Sequence, residues 1–397
     1  MCEHRERLDQ VILAVGYLFV AFSLISIAGT HISLGLLAVL WIVKALCDKR
    51  WPLQRTALDY ALLAMVFAFV LSTVFSVQPL ASLRNLKNPL LMIVIYLVAA
   101  TFTKQTSIRR AMDVFIFTAA LVAAIGLFST QLLAGKKVMG LQSTTMTWGA
   151  MSVIFALLTF AQILFGPAGR KRWWYGAALV VQGGAMLFSY VRGAWLGFVA
   201  AVIFLILLKN KKLVFLVLLL GLLVFAVAPQ PLQYRIRNIT NLNVGSTQVR
   251  LTQWRNAVKI FQDHPWTGVG WVDLANIHKQ YAPPGADLNY EAYWIGHFHN
   301  NYVMFLVCFG VVGAASLVYF LYTLFRALWR IGRAIPNALL AEKAWVYGTL
   351  AASLGFWING FFDWTFGDAE PVTVWWLTLG LTFAIHHSLF SQQQEVS

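Results

Sequence analysis

The sequence is short of charge, and shortest of acid: Asp, Glu, Lys and Arg make up 11% of residues, with 15 acidic side chains against 30 basic ones. That is too little charge to coat an ordinary soluble domain. Strict polar/apolar alternation is also missing, which argues against a transmembrane β-barrel. The cysteines, Cys2, Cys47 and Cys308, are odd in number and far apart. They supply neither a disulfide framework nor a zinc-ligand spacing. No small-residue cleavage pattern follows the apolar run from Val11 to Gly29, so that run reads as a retained helix and not a signal peptide.

What the chain has in quantity is apolar length. Hydrophobic residues account for 59% of it, and the mean hydropathy is +0.70. Runs near 11–29, 31–47, 57–77, 88–103, 111–134, 146–166, 173–190, 193–208, 212–228, 298–325, 344–366 and 371–390 approach the roughly 17 to 25 residues that cross a bilayer as a helix. The expected fold class is an all-α polytopic membrane protein of about twelve transmembrane helices. Residues 1–228 would hold the first nine, 229–297 one long helical loop, and 298–397 the last three and a tail.

A net charge of +15 would point to nucleic acid in a soluble protein. Here it reads as topology: with both termini cytoplasmic, 19 of the 30 Lys/Arg fall in inward loops, the positive-inside pattern. No nucleic-acid partner is expected. Trp148, Trp173, Trp174 and Trp195 read as interfacial anchors.

The other basic residues oppose that bias. Arg84 and Lys87 sit in "SVQPLASLRNLKN", Lys136 and Lys137 in "AGKKVMG", and Arg192 in "SYVRGAW", between two apolar runs. A guanidinium at membrane depth costs roughly 2.5 to 3.5 kcal/mol on insertion scales, so it faces a cavity or a partner unless it snorkels to the interface. Arg250 belongs to "TQVRLTQWRNAVKIFQD", where Leu251, Trp254, Val258 and Phe261 recur at helical spacing. Pro265, Gly268 and Gly270 in "HPWTGVGW" then stop that helix. Together these cations would make an outward cavity suited to a pyrophosphate.

Proton chemistry points to "GHFHNNYVMFLVCFGVVG". His299 can take a proton from a hydroxyl near neutral pH; His297, two residues earlier, would face elsewhere on a helix. With no Cys or carboxylate at ligand spacing, no metal is expected there. Acids are few, and Asp363, Asp368 and Glu370 cluster in "FFDWTFGDAEP". An ion-coupled transporter would want such groups near the midplane. Asn238-Ile239-Thr240 matches a glycosylation tripeptide that is common by chance.

The succession of "SYVRGAWLGF", a long loop with "VRLTQWRNAV" and "HPWTGVGW", then "HFHNNYVMFLVCFGVVG" and "NGFFDWTFGD" resembles the O-antigen ligase family of bacterial inner-membrane proteins over most of residues 186–380. The resemblance implies a C-type glycosyltransferase-like body with a periplasmic loop. It also implies metal-independent transfer of a glycan from undecaprenyl pyrophosphate to a hydroxyl, among membrane lipids and without a cofactor. His299 matches the family's general base, and Arg192 and Arg250 match its pyrophosphate-binding arginines; His297 is less firmly matched. Polymerases and protein O-oligosaccharyltransferases share the superfamily. A polymerase would show two loops with an Arg-x10-Gly pattern, and many oligosaccharyltransferases carry an added C-terminal domain. Ligation to lipid A-core is therefore the expected activity, and a non-enzymatic polyprenyl-glycan flippase or exporter is the competing class.

Overall fold

A computed structural model of the chain describes residues 2–51, 53–132, 136–238, 241, 243 and 245–396. Ile239 and Thr240 of the glycosylation tripeptide lie outside the described residues. Among the described residues the chain is helical and has no strand. In order the α-helices are α1 (Cys2–Ile25), α2 (Ile27–Asp48), α3 (Asp59–Val74), α4 (Pro79–Asn85), α5 (Ile93–Thr101), α6 (Gln105–Gly126), α7 (Thr145–Phe165) and α8 (Arg170–Leu187). Then come α9 (Arg192–Lys209), α10 (Leu213–Val227), α11 (Gln230–Arg237), α12 (Gly245–Asp263), α13 (Ala275–Gln280), α14 (Asn301–Ala334), α15 (Leu340–Asn359) and α16 (Ala369–Val396).

A helix lies at each of the twelve expected positions. Among the described residues seven helical stretches are long and apolar enough to cross a membrane: Arg5–Ile25, Ile27–Asp48, Pro79–Thr101 (α4 through α5), Gln105–Ser129, Thr145–Phe165, Arg192–Lys209 and Asn301–Ala334. The apolar α3 and α10 are shorter. The protein is multi-pass by these helices.

α7 is the centre of the bundle. Its run of small and apolar residues, "WGAMSVIFALLT", is buried along almost its whole length, and it packs against α8, α9 and α15. Small side chains let helices approach where lipid offers no hydrophobic drive of its own. Trp148 is buried against Phe155, and Trp195 donates its Nε1–H to Met186 O. These two tryptophans are therefore core residues and not anchors, whereas Trp173 and Trp174 are exposed.

The "HPWTGVGW" stretch does more than end α12. Gly310, at φ 61°, breaks α14 from within. Val311 and Val312 would ordinarily bond to the carbonyls of Val307 and Cys308. Instead their N–H groups donate to Pro265 O (2.8 Å) and Trp266 O (3.2 Å), while Val307 O and Cys308 O accept from Val269 (2.9 Å) and Gly270 (3.0 Å). Ser72 Oγ on α3 also donates to Cys308 O, at 2.6 Å. Irregular backbone can enter a membrane bundle only where its polar groups are met in this way. A Cβ on Gly310 would run into the Trp266 carbonyl, besides demanding a left-handed backbone. Gly310→Ala is expected to cost about 1 to 3 kcal/mol, read as a lower unfolding midpoint of the purified protein in detergent.

Candidate active site

The two asparagines after His299 are structural ties. Asn300 caps α14, its side-chain oxygen accepting from Tyr302 N (2.8 Å) and Val303 N (3.0 Å). Its amide donates to Phe361 O at 3.0 Å. Asn301 donates from its backbone to Gly360 O (2.6 Å) and from its side chain to Thr365 Oγ1 (3.0 Å), and its Oδ1 accepts from Phe366 N (3.1 Å). The loop after α15 is thus fastened across the start of α14, and this holds Asp363 against His299.

His299 Nδ1 and Asp363 Oδ1 are 3.0 Å apart, with the side chains 13% and 14% exposed. Burial alone would raise the Asp363 carboxyl. The His299 hydrogen bond, the charges of His299 and His297, and the Trp364 backbone hold it instead below the usual carboxylate value. An ionised Asp363 fixes the proton on Nδ1 and leaves Nε2 as the acceptor. The His297 ring meets that of His299 edge-on at 4.8 Å. Its basicity is lowered, first by burial and then by His299, with Asp363 and Asp273 opposing. Donor atoms of His297, His299 and Asp363 fall within 4.8 Å of one another, close enough to share a metal ion. The direct His299–Asp363 bond accounts for the arrangement without one.

The arginines arrive from the other side. After α8 the chain turns through Tyr190, whose φ of 60° is a strained value for a side chain of that size. α9 then starts at Arg192, and Gly193 lies against Asn359 and Phe362. Arg192 Nη1 donates to Asn238 O (3.0 Å), and Nη2 to Ser246 Oγ and Thr247 Oγ1 (both 3.3 Å). Arg250 Nη1 donates to Ser246 O (3.0 Å), and its Nε and Nη2 fork onto Phe362 O (3.2 and 2.9 Å). Arg235 joins them by donating to Tyr190 O at 3.3 Å. Burial lowers the Arg250 pKa; Asp363 opposes this, and the charges of Arg192 and Arg235 reinforce it. Three guanidiniums beside one carboxylate leave an excess of positive charge, the electrostatics of an anion site.

Arg192, Arg250, His297 and His299 are therefore brought together. Arg84 and Lys87 are exposed on and just after α4. That segment is pinned by Asn85 Nδ2 donating to Trp271 O (2.8 Å) and Trp271 N donating to Ser82 Oγ (3.1 Å). Trp271 in turn meets Trp364 at 6.0 Å, so a tryptophan pair stands between α4 and Asp363. Lys136 and Lys137 are exposed just before Val138, whose N–H donates to Phe188 O at 2.9 Å. Among the described residues no hydrogen bond or ion pair joins these four cations to His299 or Asp363.

Sequence reading missed the pairing of Asp363 with His299, and it missed Arg235. The acid was visible in "FFDWTFGD", but nothing in spacing aims it at a histidine 64 residues away. The apolar stripe on α12 was set in the wrong phase. The buried face carries Val249, Gln253, Asn256, Ala257 and Ile260, while Val258 is 57% exposed. Gln253 points inward because its amide donates to His297 O, at 3.3 Å.

His278 on α13 is fully buried beneath this region, tilted against Tyr293 and edge-on to Phe298. Burial pushes its pKa down to about 4, with the Ala292 and Thr252 backbone offsetting part of that. The unfolded chain therefore binds the extra proton between the ordinary value of about 6.5 and about 4. The stability this neutral ring contributes is present above pH ~6.5 and is lost as pH falls through that window. Wild-type protein is expected to lose about 3 kcal/mol more than His278→Phe between pH 7 and 4, followed by thermal unfolding at each pH.

A comparison with curated proteins finds no match to the chain. Residues 177–318 match the family model described as O-Antigen ligase. The match runs from α8 to the middle of α14 and takes in Arg192, Arg235, Arg250, His297 and His299; Asp363 falls beyond it. The segment that matches is the one that assembles the arginine cluster and the paired imidazole, and on that match residues 177–318 carry the domain of the O-antigen ligase family.

Proposed function

We propose that the protein is a metal-independent glycosyltransferase of the bacterial inner membrane. It moves O-antigen glycan from undecaprenyl pyrophosphate to a sugar hydroxyl of lipid A-core on the periplasmic face, with both termini cytoplasmic. The observation that carries this reading is the 3.0 Å bond between His299 and Asp363 beside the arginine cluster: an oriented base next to an anion site.

In the reaction, Nε2 of His299 takes the proton of the acceptor hydroxyl as its oxygen attacks the anomeric carbon. The bond from that carbon to the pyrophosphate oxygen breaks, and undecaprenyl pyrophosphate leaves with the electron pair. Asp363 steadies the imidazolium that forms. Arg192, Arg250 and Arg235 meet the charge gathering on the leaving group, so they favour the transition state over the ground state. Attack opposite the leaving group inverts the anomeric centre. A polyprenyl-glycan flippase would use the same arginines but has no use for an oriented base.

The test is a reconstituted assay with purified protein, lipid-linked glycan and lipid A-core. Glycan attached to lipid A-core is the expected product. Longer lipid-linked glycan would instead assign polymerisation, and a glycosylated protein acceptor would assign oligosaccharyl transfer. Movement of the carrier between leaflets with no transferred product would overturn the enzyme reading.

A further inference from the structure

A second recess, with cations at its wall and a mainly apolar lining, lies on the far side of α12 from the arginines. It is a cleft of about 590 Å³, walled by Thr252, Arg255, Asn256 and Lys259 of α12 and by Tyr290 and Tyr293 of the 283–293 segment. That volume is typical of a small-molecule site. Arg255 and Lys259 are one helical turn apart and exposed. Among the described residues no carboxylate lies within ion-pair distance of either. Asp287, the one acid on the lining, uses its Oδ1 to accept Asn289 N at 2.9 Å in its own turn.

Two cations, a hydroxyl and a half-buried tyrosine ring are groups that hold a charged sugar; Asn256 is buried and its amide donates to His278 O at 3.4 Å, and Lys259 Nζ lies 3.5 Å from Tyr281 O. The cations take a phosphate or carboxylate, the Thr252 hydroxyl takes a ring hydroxyl, and the aromatic face takes the C–H face of the sugar. The floor connects to the base. Tyr293 packs on His278 at 4.9 Å, His278 on Phe298 at 5.2 Å, and Phe298 precedes His299. The same helix that walls the cleft holds His297 O through Gln253.

We infer that this cleft binds an anionic oligosaccharide, one bearing phosphate or uronic acid, and holds it on the helix that also fixes the His297 carbonyl. That it serves the transferred or accepting glycan rests on the transferase reading; that it binds acidic sugar does not. Binding is measured on the full-length protein in detergent by calorimetry, with tetragalacturonate as probe and maltotetraose as its neutral counterpart. Tetragalacturonate is expected to bind the more tightly, and the Arg255→Gln/Lys259→Gln double variant to weaken it about ten-fold. His299→Ala should leave the binding as it is. Equal affinity for the two probes, no binding of either, or a loss in Arg192→Gln but not in the double variant overturns the inference.

The transfer assay then separates the sources. A KM increase of about ten-fold for phosphorylated acceptor, absent for phosphatase-treated acceptor, assigns the cleft to the acceptor. An increase in donor KM assigns it to the donor glycan. No change in either KM overturns its place in transfer. If wild-type protein binds as expected yet transfers nothing, the function reading fails and the cleft stands.

Discussion

Asp363→Asn is expected to lower the transfer kcat by about 10² to 10⁴-fold, and His299→Ala by at least as much, with lipid-linked donor still bound by both. The argument is one of tautomers. The 3.0 Å contact to His299 Nδ1 places the ring proton on the side away from the acceptor, so that Nε2 carries a lone pair. An asparagine fills the same space, but it can turn its NH₂ toward Nδ1 and reverse the proton's position. The ring would then offer a donor where a base is needed. The carboxylate's hold on the forming imidazolium is lost at the same time. Fastening by Asn300 and Asn301 does not depend on the Asp363 side chain, so the variant should fold. Full activity in His299→Ala would sink the base assignment, and full activity in Asp363→Asn would reduce the pair to a structural contact.

Arginine-to-lysine replacement carries the second large effect. Arg250→Lys and Arg192→Lys are each expected to cost about 10² to 10³-fold in turnover with the positive charge kept. Arg250 reaches Ser246 O with one nitrogen and Phe362 O with two others. A lysine has a single nitrogen and cannot hold both backbones while facing a phosphate. Arg192 shares the Ser246 anchor, so the double replacement should cost less than the product of the two singles. Thermal unfolding in detergent checks that the variants remain folded. Unchanged kinetics in both would mean that these guanidiniums only snorkel, and the pyrophosphate site would have to be sought elsewhere.

Much of this was legible in the sequence for physical reasons. Apolar run length sets where helices form, and helices stand where the runs are. Arg192 stood out because charge at membrane depth is expensive, and His299 because it opens an apolar helix; both are at the site. What was not legible depends on the third dimension. The phase of α12 was misread because its inward face is polar at Gln253, which serves a backbone carbonyl 44 residues away. Arg235 looked like any loop arginine until the left-handed turn at Tyr190 brought a carbonyl to it. The glycines of "HPWTGVGW" read as a stop signal, whereas the N–H groups of Val269 and Gly270 in that stretch fill the gap in another helix.

That gap has a mechanical consequence. At Gly310 the segment Asn301–Phe309 is bonded through Val307 O and Cys308 O to residues 269–270 and to Ser72 on α3, in place of the Val311 and Val312 rungs of its own helix. The platform carrying His299 is thus tied to the loop region and α3 at the two rungs where its link to the long shaft beneath is interrupted. A bilayer that thickens, thins or tilts that shaft bends the chain at the break. The spacing between His299, Asp363 and the arginines is insulated from it, so the geometry that sets the proton's position can stay constant while the surrounding lipid varies.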